Sequence, residues 1–167
     1  MALRQLTPTD APEIFLLRSN GEVNKFIDRP KTATIDEAAQ FIRTINDGII
    51  KNESVYWAIS LKSEPKLIGT ICYWNIDKEK QHAEIGYELH PAFQGKGMMQ
   101  EAIQEVINFG FVNMHLETIT AFSRYDNKNS IKLLKKNNFS RDERLDQEMI
   151  QDLNTYVVYS LLKPVIP

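Results

Sequence analysis

The stretch Ala83-Glu84-Ile85-Gly86-Tyr87-Glu88-Leu89-His90-Pro91-Ala92-Phe93-Gln94-Gly95-Lys96-Gly97-Met98-Met99 decides how this chain is read. Ala83–Leu89 is an apolar-rich run that ends at His90-Pro91, the pattern of a strand running into a turn. Beyond Gly97 the period changes. Met99, Ala102, Ile103, Val106 and Gly110 fall on one helical face, and Glu101, Gln104, Glu105 and Asn108 on the other. A strand, a loop with two glycines and a helix N-terminus therefore follow one another. The first N–H groups of a helix lack intrahelical acceptors, and the macrodipole places partial positive charge there. Such a unit suits a phosphate, and glycine lets the backbone approach it closely with positive φ.

Two common phosphate loops do not fit. The dinucleotide fingerprint needs a third glycine where Gln100 stands. The Walker A pattern needs Ser or Thr after the lysine, but Lys96 is followed by Gly97, and the upstream glycine is missing.

Outward from this unit, elements of two periods alternate. Ala2–Leu6 reads as a strand, followed by a helix opening near Asp10 with Ile14, Phe15 and Leu17 inward. Thr34 or Asp36 can cap a second helix whose apolar face is Ala38, Phe41, Ile42, Ile45 and Ile49. Val55–Leu61 and Leu67–Asn75 read as strands before the central one. Downstream, Leu116–Phe122 reads as a strand and Asn127–Asn137 as a short helix. Phe139–Leu145 and Tyr156–Leu162 read as a last pair of strands. The expected fold is α/β (α+β): a mixed, mostly antiparallel twisted sheet of about seven strands flanked by about four helices. No linker or repeat divides the 167 residues, so 1–167 reads as a single domain.

Composition narrows the function classes. Apolar residues make up 43% and charged residues 25%, ordinary for a globular protein. Twenty basic against 22 acidic side chains give a net charge of −2, which argues against nucleic acid as a partner. No run of roughly 18 apolar residues is present, so no membrane span is expected. The N-terminus lacks the plan of a signal peptide, and the single Cys72 cannot form an internal disulfide. Together these point to a reducing, cytoplasmic setting.

Gln94-Gly95-Lys96-Gly97-Met98-Met99 does fit Q/R-x-x-G-x-G/A, and so resembles the coenzyme A pyrophosphate loop of the GNAT acyltransferase superfamily. Asn127, Ser130, Leu133, Leu134, Asn138 and Phe139 resemble that family's second signature, N-x-x-S-x-x-L-L-x-x-x-G-F. Glu22-Val23-Asn24-Lys25-Phe26 is similar to the branch holding the ribosomal-protein N-terminal (alanine/serine) acetyltransferases. Two positions depart from the pattern. Met99 replaces the loop's last small residue, so its side chain must turn into the core. Asn138 replaces the glycine before Phe139, and Asn tolerates the left-handed conformation better than most residues.

The resemblance implies an acetyl-CoA-dependent N-acetyltransferase (a transferase and acyltransferase) in which a bound primary amine attacks the thioester directly. No enzyme nucleophile and no metal are needed for this. The sequence agrees, with no nucleophile elbow or metal-ligand motif and with His82, His90 and His115 widely spaced. Strand alternation puts Glu84, Gly86 and Glu88 on one face. Glu84 matches the carboxylate of the family's A-E-I pattern and is the candidate general base, with a proton affinity raised by partial burial. A solvent-facing or ion-paired strand carboxylate is the alternative, and Glu88 is the second candidate.

The same resemblance gives the cofactor-binding set. The backbone of Glu88 and Leu89 would bond the pantetheine arm or the acetyl oxygen. Gln94, Gly95, Lys96, Gly97, Met98 and Met99 would hold the pyrophosphate, Asn127 the arm, and Lys132 the 3′-phosphate. Many relatives carry a Tyr four residues after the serine, where this chain has Leu134. Ser130 is thus the remaining motif residue able to donate to the departing thiolate. Without that Tyr, the alternative is a catalytically silent CoA-binding or regulatory module. A mononucleotide-binding domain is disfavoured by the failed loop patterns.

The resemblance implies as acceptor a protein N-terminal α-amine or a small-molecule amine. Asp142, Glu143, Asp146, Glu148 and Asp152 form an acidic tract that could attract a cationic one. Tyr73, Trp74, Tyr87 and Phe122 are candidate lining, although most strand aromatics pack the core. Strand pairing through the C-terminal hairpin would permit a homodimer.

Overall fold

The structure is a computed structural model and describes residues 1–149 and 155–164. Its strands are β1 (Ala2–Arg4), β2 (Val55–Leu61), β3 (Glu64–Asp77), β4 (His82–Leu89), β5 (Thr118–Arg124), β6 (Ser140–Arg141) and β7 (Tyr156–Leu162). Its helices are α1 (Ala11–Ser19), α2 (Gly21–Asn24), α3 (Ile35–Ile50), α4 (Met98–Val112), α5 (Lys128–Lys136) and α6 (Glu143–Met149). The seven strands are hydrogen-bonded in the order β1-β2-β3-β4-β5-β7-β6. Pairing is antiparallel for β1–β2, β2–β3, β5–β7 and β6–β7, and parallel for β4–β5. This is the mixed, mostly antiparallel sheet expected from the sequence.

The chain divides into two compact units, each built from two segments. The first holds Met1–Tyr73 and Tyr87–Ala102. Its core gathers Leu6, Ile14 and Leu17 with Ala38 and Ile42 of α3 and Tyr56, Ala58 and Leu67 of the strands. Thr34 caps α3 by accepting from the Glu37 N–H at 3.2 Å. The turn from β1 into α1 is closed by a bidentate pair, Arg4 to Asp10, at 2.8 and 2.6 Å. Asp10 also accepts from the Thr7 N–H at 2.8 Å. Burial raises the proton affinity of Asp10, but these donors outweigh it and hold the carboxyl below its usual range. Between β3 and β4 the backbones come very close at Gly69. A Cβ there would lie 2.5 Å from the Glu88 carbonyl oxygen and 3.1 Å from the Leu89 Cα.

The second unit holds Trp74–Gly86 and the described part of 103–167. Strands β5 and β7 pair over their full length, from Thr118↔Leu162 to Arg124↔Tyr156. The parallel ladder of β4 on β5 covers His82↔Thr118, Ala83↔Ile119 and Glu84↔Thr120. Helix α5 ends in a Schellman motif. The Phe139 N–H bonds the Leu134 carbonyl and the Asn138 N–H bonds the Lys135 carbonyl, each at 3.1 Å. Asn138 takes φ +64, so it fills the left-handed position the sequence reserved for it.

Two expectations need correction. Phe139–Leu145 is not one strand: only Ser140–Arg141 pairs, and helix α6 begins at Glu143. Asp142 accepts from the Leu145 N–H at 3.1 Å, capping the helix and ending the strand. The described residues also hold more helices than the four expected. A one-turn helix, α2, is nucleated by Asn20, whose side chain accepts from Glu22 and Val23 N–H at 2.9 and 3.1 Å.

Candidate functional site

Gly95 and Gly97 stand at φ +72 and +80, and the turn from Gln94 to Gly97 is exposed. A Cβ built on either glycine would meet nothing within 4 Å. Glycine is therefore required by backbone conformation, and the space over the loop is open to a ligand. The Gly97 carbonyl accepts from the Glu101 N–H at 3.0 Å, so α4 starts at Met98, with the Met98 and Met99 amides in its first turn. Ala102, Ile103 and Val106 bury the inner face of α4 as the period predicted, and Met99 is half-buried. The Gln94 side chain ties the loop to the end of β4: its Nε2 donates to the Leu89 carbonyl at 2.9 Å. Lys96 is exposed, with Nζ 5.6 Å from the Phe93 ring centre.

The two strand carboxylates sit in unlike environments. Glu84 is buried, and one oxygen accepts from Asn75 Nδ2 at 2.9 Å. Burial raises its pKa above the usual carboxylate value, and the Asn75 amide only partly opposes this. Asn75 is held for the task in a left-handed conformation, φ +46. Glu88 is also buried, but both oxygens are engaged. Oε2 meets Arg29 Nη2 at 2.5 Å, and Oε1 accepts from Thr70 Oγ1 at 3.3 Å. Thr70 Oγ1 in turn is 3.0 Å from the Tyr56 hydroxyl.

In the second unit, Asn127 caps α5, with Oδ1 accepting from the Ser130 N–H at 3.1 Å. That puts Asn127 and Ser130 together in one helical turn, with Lys132 exposed on the next. Leu134 is fully buried, so the position where the family resemblance led to the expectation of a phenol is a core position here. Of the acidic tract, Glu143 is exposed, whereas Asp142 and Asp146 are engaged within the fold. Asp146 is buried, pairs with Arg141 at 2.8 Å and accepts from the Val158 N–H. Asp142 caps α6 and accepts from Ser160 Oγ at 3.2 Å. The Glu148 side chain and Asp152 lie outside the described residues. Of the candidate aromatics, Tyr73 is buried against Trp57 at 6.3 Å between ring centres, whereas Trp74 is 47% exposed.

Sequence reading missed Arg29, which lies 59 residues from its partner Glu88. Arg29 Nε also donates to Asn24 Oδ1 at 2.9 Å, and Asn24 Nδ2 donates to the Arg18 carbonyl at 2.6 Å. The available signal was the pairing rule: a buried strand carboxylate needs a cation, but the rule does not say which one.

The family model described as acetyltransferase (GNAT) domain matches residues 1–140. The uncharacterized N-acetyltransferase YoaA of Bacillus subtilis is 34% identical over 166 residues, covering 98% of this chain and 94% of that protein. Among solved structures, ribosomal-protein-S5-alanine acetyltransferase from Vibrio fischeri superposes with a TM-score of 0.80 at 24% identity. The match covers 97% of this chain and 94% of that one. Spermidine N-acetyltransferase from Vibrio cholerae, in complex with CoA and spermine, gives 0.81 at 20% identity over 96% and 94%. Among the described residues, no group of three or more His, Cys, Asp or Glu is disposed to hold a metal ion. No helix there is long and apolar enough to cross a membrane.

Proposed function

The chain belongs to the GNAT acetyltransferase family and is an N-acetyltransferase; from that premise we propose that residues 1–167 act as one domain that moves an acetyl group from acetyl-CoA to a primary amine by direct attack. The observation that carries the cofactor half of this reading is the pair of positive-φ glycines opening onto the start of α4. That backbone fits a pyrophosphate: the amides of Gly95 to Met99 surround it, and Lys96 adds a cation. The amides of Glu88 and Leu89 hold the pantetheine arm, where β4 continues past its last pairing with β5 at Glu84. Asn127 bonds the same arm, and Lys132 takes the 3′-phosphate.

Acetyl-CoA supplies an activated thioester, so the protein has three tasks. An ammonium must lose a proton before its nitrogen can attack, and Glu84 is the base. It is buried, aligned by Asn75, and its proton affinity is raised toward that of the amine. Glu88 is a poor second choice because Arg29 and Thr70 already occupy both its oxygens. Backbone N–H groups of β4 stabilise the carbonyl oxygen as charge develops on it. Ser130 donates a hydrogen bond to the departing thiolate.

The acceptor is an amine of a protein N-terminus or a small molecule. The test is release of free thiol from acetyl-CoA with a panel of amines: N-terminal Ser and Ala peptides, polyamines, aminoglycosides and amino acids. Thiol release with one class supports the reading and names its acceptor. If no amine releases thiol and acetyl-CoA does not raise the melting temperature, the loop assignment is wrong.

A further inference from the structure

Asn75 lies near the end of β3 and donates from Nδ2 to Glu84 Oε2 at 2.9 Å. Both residues belong to the second unit, as do His82 and Thr120. Asn75 is exposed, whereas Glu84 is only 7% exposed. An exposed amide has water for a partner, yet this one lies over a buried carboxylate. Its backbone is unusual as well. Within β3 only Asn75 has a positive φ, +46. The left-handed conformation crowds Cβ in most residues, and Asn bears it at lower cost. Strain of this kind clusters at functional sites, where the surroundings hold it in place.

Little else constrains Glu84. Its other oxygen, Oε1, accepts no hydrogen bond from the described residues. On the β5 side it faces its register partner Thr120, which is buried and bonded to His82 Nε2 at 2.8 Å. Among the described residues no charged side chain shifts Glu84: burial raises its proton affinity and the Asn75 amide opposes this. His82, two residues along the same face of β4, is a titratable neighbour. Burial lowers its pKa, and Asp77 and Lys80 act on it in opposite senses.

We propose that Asn75 is the positioning residue of Glu84: its amide covers Oε2 and fixes the carboxylate, so that Oε1 is the oxygen that takes the proton from the acceptor ammonium. This rests on the assignment of Glu84 as base and extends it to one defined oxygen. The ammonium N–H bond breaks, an O–H bond forms at Oε1, and the electron pair stays on nitrogen for the attack. A neutral donor fits the task. A cation in its place would hold the carboxylate ionised and weaken it as a base, whereas an amide aims it at a smaller loss of proton affinity.

The experiment compares Asn75→Gly and Asn75→Asp with wild type in pH profiles of thiol release from acetyl-CoA. Glycine keeps the left-handed backbone, removes the donor and admits water to the carboxylate. Relief of burial, the larger influence on Glu84, should move the rising limb down by about one pH unit. Aspartate keeps the shape but sets a second carboxylate against the first, and should move the limb up by about one unit or more. In both variants kcat on the plateau should fall about tenfold through lost alignment, with KM for acetyl-CoA little changed. A merely structural role would lower stability without moving the limb in opposite directions. Carbon-13 NMR of the Glu84 carboxyl in the same three proteins should titrate with the limb and move with it. Glu84→Gln should remove the limb, and His82→Gln should leave it in place. A limb unmoved in both Asn75 variants, or Glu84 titrations that coincide with wild type, overturns the role of Asn75 and leaves Glu84 as base. A limb that survives Glu84→Gln overturns the base assignment, and the proposal falls with it.

Discussion

Arg29 and Glu88 form a buried ion pair, Nη2 to Oε2 at 2.5 Å, that pins the segment between α2 and α3 to the end of β4 before the glycine loop. The side chains are 14% and 5% exposed, so neither charge is well solvated if its partner is lost.

Arg29→Met should therefore lower stability, by less than the about 3–5 kcal/mol of a wholly uncompensated buried charge because the Arg18 guanidinium also acts on Glu88. The double variant Arg29→Met with Glu88→Gln should recover most of that loss. Urea unfolding of the two singles and the double measures both terms. A single variant within about 1 kcal/mol of wild type would show that water or Arg18 already compensates Glu88.

Glu84 makes a pH prediction. Its folded pKa is raised by burial, and the base acts when ionised, so turnover should rise with pH through a value above the ordinary carboxylate range. Glu84→Gln should lower kcat and remove that limb, with little change in acetyl-CoA affinity. A profile identical to wild type would assign the proton to another group. For stability the sign is the reverse. The unfolded carboxyl ionises first, so Glu84 costs stability as pH rises from the unfolded to the folded pKa. Glu84→Gln should then melt at the same temperature or higher at neutral pH.

Gly97 separates folding from binding. Valine at φ +80 is strained by about 1–2 kcal/mol, yet its side chain meets no protein atom. Gly97→Val should keep a cooperative melt a few degrees lower and lose the upward shift given by acetyl-CoA. A retained shift would remove the loop from the cofactor site.

Asn138 at φ +64 closes the α5 cap. Asn138→Gly should leave stability unchanged or slightly higher, and Asn138→Ala should lower it by about 1 kcal/mol. Thermal melts of the pair decide it. If alanine is as stable as glycine, the left-handed geometry is not a constraint in solution.

Cys72 is half-buried in β3. Cys72→Ala should keep most of the activity, because direct attack needs no enzyme thiol. Complete loss of turnover in a folded variant would instead indicate a covalent step.

What the sequence made legible was local. The change of period at Gly97, the caps Thr34 and Asn127 and the Asn138 stop each depend on residues within a turn of one another, and all stand where they were expected. Helix α6 was also legible in principle. Asp142, followed by Glu143 and Asp146, is an N-cap with acidic first-turn residues, and Phe139–Leu145 has no apolar alternation that would support a strand. Arg29 and Glu88 were not legible. Each carries an ordinary charge in its own neighbourhood, and only folding across 59 residues brings the two together. The same holds for Arg18 on Phe41, where nothing short of the packing of α1 on α3 shows that a surface-type arginine has been fixed in place.

The close approach of β3 to β4 at Gly69 sets a limit on how this protein can vary. Any side chain at position 69 would press on the backbone of Glu88 and Leu89, the two residues that lead into the glycine loop. In a saturation mutagenesis screen position 69 would therefore score like an active-site residue, although it has no functional group to offer. Its intolerance would come from the strand it supports, and drift at that position would have to wait for compensating change in β4.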